Sequence, residues 1–107
     1  MLSKDLKNKI IDTLKQFDPD KIILFGSHVY GKPDSESDID LLIVKNIPKE
    51  QVKELRLRIK KTLWQNFKEN TIYFDVLVDS EERILKRIKM GDLFYEEIYK
   101  LGEEIYA

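Results

Sequence analysis

The chain contains no cysteine. That absence excludes disulfides and thiolate-ligated metal sites, and it agrees with a reducing cytosol. A single histidine, His28, excludes a zinc centre built on several imidazoles. No sign of charge dominates, since 19 Lys and Arg face 20 Asp and Glu for a net charge of -1. No global field therefore draws nucleic acid, and direct nucleic-acid binding is not expected. No apolar run approaches the roughly 18 residues of a membrane span, and the opening MLSKDLKNKII lacks the apolar core of a signal peptide. A cytoplasmic protein without membrane association is expected. Repeats, low-complexity segments and linker-like stretches are also missing, so residues 1–107 read as one domain. A chain of this length can bury about two thirds of its unfolded surface around one core.

What is present is an alternation of helical and strand patterns. Leu6, Ile10, Leu14 and Phe17 recur at helical spacing and predict an amphipathic helix from Ser3 to Phe17, ended by Asp18-Pro19-Asp20. Lys21 to Phe25 is a short apolar run typical of a strand buried on both faces, and Gly26-Ser27 breaks it. Gly31 to Ser37 is loop by composition, and a second strand follows from Asp38 to Val44. Val52, Leu55, Ile59, Leu63 and Phe67 predict a long helix with Pro48 in its first turn. Its outer face carries Lys53, Arg56, Arg58, Lys60 and Lys61, interspersed with Glu50 and Glu54, and reads as a solvated face rather than a nucleic-acid stripe. Thr71 to Val78 predicts a third strand. Asp79 and Ser80 both suit the cap of a helix from Glu81 to Lys89, and a last helix runs from Asp92 to Leu101 before Gly102 and a short EEIYA end. The fold class is α/β, a small mixed sheet flanked by helices, because only about a dozen residues join the first two strands, too few for a full crossover.

The chemistry concentrates between Ile22 and Val44, IILFGSHVYGKPDSESDIDLLIV. Strand side chains alternate, so Asp38 and Asp40 project from one face while Ile39, Leu41 and Ile43 occupy the other. Neighbouring carboxylates repel unless a proton or a cation intervenes. On the third strand Tyr73, Asp75 and Leu77 share a face, and Asp75 is a lone acid among apolar residues. Three converging carboxylates suit two Mg²⁺ ions, which take oxygen ligands and bridge to phosphates in nucleotidyl transfer. Asp75 is also the candidate general base toward an acceptor hydroxyl. Gly26 permits close backbone approach and Ser27 adds a hydroxyl, which together can hold the terminal phosphates of a nucleotide. A Gly-Ser pair after a strand is more often an ordinary turn, and its weight here comes from the acids that follow.

Gly26-Ser27, ten further residues and then Asp38-x-Asp40, with a third acid on a later strand, resemble the signature of the DNA polymerase β-like nucleotidyltransferase superfamily. Within it, SDIDLLIV, FDVLV and the closing GDLFYEEIYKLGEEIY resemble the minimal nucleotidyltransferase (MNT) domains over nearly the whole chain. The resemblance implies a polymerase β palm-like fold, with Gly26 and Ser27 on the triphosphate and Asp38, Asp40 and Asp75 as Mg²⁺ ligands and catalytic triad. It implies transfer of AMP from ATP to a hydroxyl with release of pyrophosphate. Minimal domains of this kind resemble antitoxins encoded with a HEPN-domain toxin, some of which modify a tyrosine of that toxin. A HEPN partner is the expected acceptor. The larger enzymes of the superfamily add an acceptor-recognising domain, so here a partner chain or a homo-oligomer is expected in its place. Two other functions follow from the same residues: steric masking of a toxin without catalysis, and transfer to a small-molecule alcohol. Many relatives carry Arg in the turn after Gly-Ser, where this chain has His28, Val29 and Tyr30, with Lys32 as a substitute cation. Arg binds phosphate bidentately, which neutral His or Tyr does not. His28 reads as an exposed turn residue and Tyr30 as packing. Trp64, Tyr73, Phe94, Tyr95, Tyr99 and Tyr106 read as packing rather than as a base-stacking platform, with Phe94, Ile98 and Leu101 at helical spacing. Lys86, Arg87 and Lys89 read as a solvated face.

Overall fold

A computed structural model describes residues 2–31 and 38–107. Four strands form one sheet, β1 (Lys21–Phe25), β2 (Ile39–Val44), β3 (Phe74–Asp79) and β4 (Glu103–Tyr106), in the order β3-β2-β1-β4. Strands β1 and β2 are antiparallel, β2 and β3 parallel, and β1 and β4 antiparallel, so the sheet is mixed, as the short first connection requires. Helices α1 (Lys4–Leu14) and α3 (Lys49–Phe67) supply Ile10, Leu14, Ile59, Leu63 and Phe67 to one face, against Ile22, Leu24, Ile39, Leu41, Ile43, Val76 and Val78. Helices α4 (Glu81–Lys89) and α5 (Leu93–Leu101) supply Ile84, Tyr95 and Ile98 to the other, against Ile23, Phe25, Leu42 and Val44. A one-turn helix, α2 (Ser27–Tyr30), follows β1 directly.

The ends of these elements obey local chemistry. Ser3 caps α1 by accepting the Leu6 amide at 3.1 Å, and Phe17 lies in a 3-10 turn after the α-helix proper. Pro48 is the N-cap of α3 rather than part of its first turn, one residue from its predicted place. Of the two candidate caps for α4, Ser80 takes the role through its bond from the Arg83 amide, and Asp79 closes β3. Asp92 caps α5, its Oδ1 accepting from Phe94 at 3.1 Å and Tyr95 at 3.2 Å.

Three corrections to the sequence reading emerge. The EEIYA end is a fourth strand, since Glu103 to Tyr106 pair with Ile22 to Leu24 across the length of the chain. No local pattern specifies that pairing. The third strand begins at Phe74 rather than Thr71, because Thr71 adopts φ +54° to close the 3-10 turn after α3. On α5 the buried residues are Tyr95 and Ile98, whereas Phe94 is 52% exposed and Leu101 half exposed. Among the described residues no helix is long and apolar enough to cross a membrane.

Candidate active site

The parallel pairing of β2 with β3 places Asp40 directly beside Asp75, and the antiparallel pairing of β1 with β2 places Phe25 on the other flank of Asp40. The three residues form one row across the sheet, on the α4–α5 face, where Leu42 and Leu77 continue the same sides of their strands. Asp38 stands just before β2 and is exposed, as is Asp75, while Asp40 is half-buried between them. The end of β1 and the beginnings of β2 and β3 thus gather the three predicted acids at one end of the sheet.

Gly26 completes the row. Its backbone has φ +79° and ψ -156°, a conformation essentially confined to glycine. A Cβ at this position would be driven into the Asp40 carboxylate. The sequence therefore uses glycine here for two reasons at once, the backbone angle and the space for an acid. Ser27 follows as the first residue of α2, whose Val29 and Tyr30 amides both bond to the Gly26 carbonyl, at 3.0 and 3.1 Å. This tight turn brings Ser27 and the carboxylate of Asp40 to the same corner of the sheet.

Electrostatics single out Asp40. Burial raises its pKa above the ordinary aspartate range, the Asp75 and Asp38 carboxylates raise it further, and His28 opposes them. His28 is half-buried rather than an exposed turn residue, and its influence on Asp40 ties the turn to the acids. Tyr30 is 38% exposed instead of packed away. Lys32, the proposed substitute cation, lies outside the described residues, as do the remaining residues to Ser37.

Another acid on the same face of β3 shows what a structural carboxylate looks like in this fold. Asp79 Oδ1 accepts from Arg83 Nε at 2.6 Å and from the Ser80 amide at 2.9 Å, and Arg83 also donates to the Ile47 carbonyl at 2.7 Å. That network ties β3 and α4 to the segment after β2. Asp75 has no such counterion among the described residues; the charge that Asp40 feels from it is repulsive.

The donor set is three carboxylates, all oxygen, with excess negative charge. Such a set fits a hard divalent cation such as Mg²⁺ in chemistry and in charge. As the side chains stand, however, no three His, Cys, Asp or Glu among the described residues are grouped closely enough to hold a metal ion. One contributor was not singled out for the site from the sequence. Phe94, from the first turn of α5, meets Phe25 edge-on at 5.9 Å between ring centroids and so stands beside the row that holds Asp40. Helical spacing assigned it to packing, and only the pairing of Phe25 with Asp40 reveals its position at the rim.

Two proteins of Methanocaldococcus jannaschii, each named "putative protein adenylyltransferase", are similar to the chain. One is 30% identical over 98 residues, covering 91% of this chain and 89% of the relative. The other is 31% identical over 86 residues, covering 80% and 77%. The family model described as "Nucleotidyltransferase domain" matches residues 7–106, which include the whole row of acids and the Gly-Ser turn, and the chain belongs to the nucleotidyltransferase domain family.

Proposed function

We propose that this nucleotidyltransferase is a protein adenylyltransferase, moving AMP from ATP to a hydroxyl of a partner protein, with a tyrosine of a HEPN toxin as the acceptor. The observation that carries the reading is the row Gly26, Asp40, Asp75, in which a glycine makes room for one acid and the sheet register sets a second beside it. The adenylyltransferase names of the two archaeal relatives support the choice of nucleotide and acceptor class.

In this reading Gly26 and Ser27 receive the β- and γ-phosphates at the corner where β1 ends. Asp38, Asp40 and Asp75 would hold Mg²⁺, which would supply the charge that neutralises the carboxylates and the phosphates together. Asp75, exposed on the edge strand, takes the proton of the acceptor hydroxyl. The hydroxyl oxygen forms a bond to the α-phosphorus as the bond from that phosphorus to the bridging oxygen breaks, and pyrophosphate leaves with the electron pair. The rim formed by Phe94 gives the acceptor side chain an apolar neighbour.

The test is incubation with ATP labelled in its α-phosphate, Mg²⁺ and the protein encoded beside this chain. Label should enter the partner and should vanish with Asp38→Ala plus Asp40→Ala. Label persisting at the wild-type rate in that double variant refutes the assignment of the site. Mass spectrometry of the labelled partner then identifies the modified residue.

A further inference from the structure

A second feature runs along the seam between α3 and β3. Lys49, Lys53, Arg56, Lys60 and Trp64 follow one another at steps of four, three, four and four, so they share one side of α3 over about 22 Å. Glu50 and Glu54 each come one residue after a lysine of this series and are turned about 100° round the helix from it. The acids that interrupt the sequence therefore do not interrupt this side. Lys49, Lys53, Arg56 and Lys60 have no carboxylate partner among the described residues.

Two hollows lie end to end along the seam. The first, of about 530 Å³, is a basic groove between α3 and α4 that takes Lys49, Lys53 and Arg56 from one helix and Arg83 and Lys86 from the other. The one acid in its lining, Asp79, is already held by Arg83. The second, of about 350 Å³, takes Lys60, Lys61 and Trp64 from the far half of α3 and Tyr73 from the segment entering β3. There the Trp64 and Tyr73 rings are stacked, 6.2 Å between centroids and 23° between planes, yet the residues remain 51% and 53% exposed. Rings that served only the core would be buried.

A row of unpaired cations ending on an exposed aromatic stack offers charge to successive phosphates and a planar surface to an unpaired base. We infer that this seam binds single-stranded nucleic acid, with phosphates along Lys49, Lys53, Arg56 and Lys60 and a base against the pair of Trp64 and Tyr73. The whole chain carries a net charge of -1, so the attraction belongs to the stripe and not to a field of the molecule. A duplex fits less well, because its bases are stacked on one another and offer the rings no free face. An acidic protein segment matches the cations but does not call for a ring stack at their end. The face that reads from sequence as merely solvated is thus assigned a ligand. The inference is independent of the three acids and of adenylyl transfer.

The test uses the full chain, without ATP, and short fluorescein-labelled oligouridylate and oligothymidylate, read by anisotropy. Binding of either supports the inference, and the tighter of the two tells RNA from DNA as the ligand. Affinity should fall with salt at a log–log slope of roughly −2 to −3, the value for three or four phosphate contacts on a single strand. Trp64 is the only tryptophan of the chain, so tryptophan fluorescence should drop when unlabelled oligomer is added. Lys53→Glu plus Lys60→Glu should cost about tenfold or more in affinity, while Lys4→Glu plus Lys100→Glu, an equal change of charge at exposed positions elsewhere, should leave it within about twofold. Trp64→Ala should cost about fivefold or more. Lys53→Gln plus Lys60→Gln repeats the test should circular dichroism show that the reversal disturbs the fold. Absence of binding at low ionic strength, affinity that follows net charge alone, or unchanged tryptophan fluorescence overturns the inference. Displacement of the oligomers by oligoglutamate of equal charge overturns it in favour of an acidic protein partner.

Discussion

Asp40 is the residue at which the stability of this fold and its chemistry pull in opposite directions. Its pKa is raised in the folded chain by burial and by Asp75 and Asp38, so the folded state favours the protonated acid more than the unfolded state does. The stabilisation associated with that preference is complete below the unfolded pKa and is lost as pH rises through the folded one. Near neutral pH an ionised Asp40 therefore weakens the metal-free fold. Asp40→Asn should raise the melting temperature in the presence of a chelator at neutral pH, and the gain should shrink as pH falls below the aspartate range. Calorimetry across that pH window checks the sign, and a lower melting temperature for the variant at neutral pH contradicts it. The same substitution should abolish AMP transfer. Asp79 makes the contrast plain, since its carboxylate is held by Arg83 and the Ser80 amide and needs no further partner.

Among the elements, the junction of β1 with α2 has the least tolerance. Gly26 turns the chain at φ +79° directly against the Asp40 carboxylate. Gly26→Ala adds a clash and a forbidden backbone angle together. The expected cost is about 1–3 kcal/mol of stability and about 100-fold in transfer rate from displacement of the acid, measured by denaturant unfolding beside a labelled-ATP assay. The elements that sequence reveals best are those whose signal is local. The helical spacing of Leu6 to Phe17 and of Val52 to Phe67 and the apolar run Lys21 to Phe25 appear where the pattern places them, and the second strand begins at Ile39, one residue after the expected Asp38. β4 does not announce itself, because Glu103 and Glu104 are charged and its pairing with β1 joins opposite ends of the sequence. Phe94 and the basic groove are hidden for the same reason: both arise from the packing of segments far apart in the chain, which no single helical period encodes.

For the molecule as a whole, a ligand that binds only the folded chain adds to its stability by mass action. If the three acids hold Mg²⁺, the melting temperature should climb with Mg²⁺ concentration, by an amount equivalent to about 2.7 kcal/mol at one hundred times the dissociation constant. Asp38→Ala plus Asp40→Ala should flatten that response, and an equal climb in the double variant would place the ion elsewhere. The sheet topology carries a further consequence, for the order in which the chain assembles. Gly26 and Asp40 lie on an antiparallel pair formed by neighbouring segments, whereas Asp75 joins Asp40 only after the whole of α3 has crossed the sheet. Contacts between distant segments form late because a long loop must first be closed. A nascent or partly unfolded chain therefore presents two acids and a glycine turn without the third acid. On the proposed assignment of the three acids, only a finished fold is competent to transfer a nucleotide.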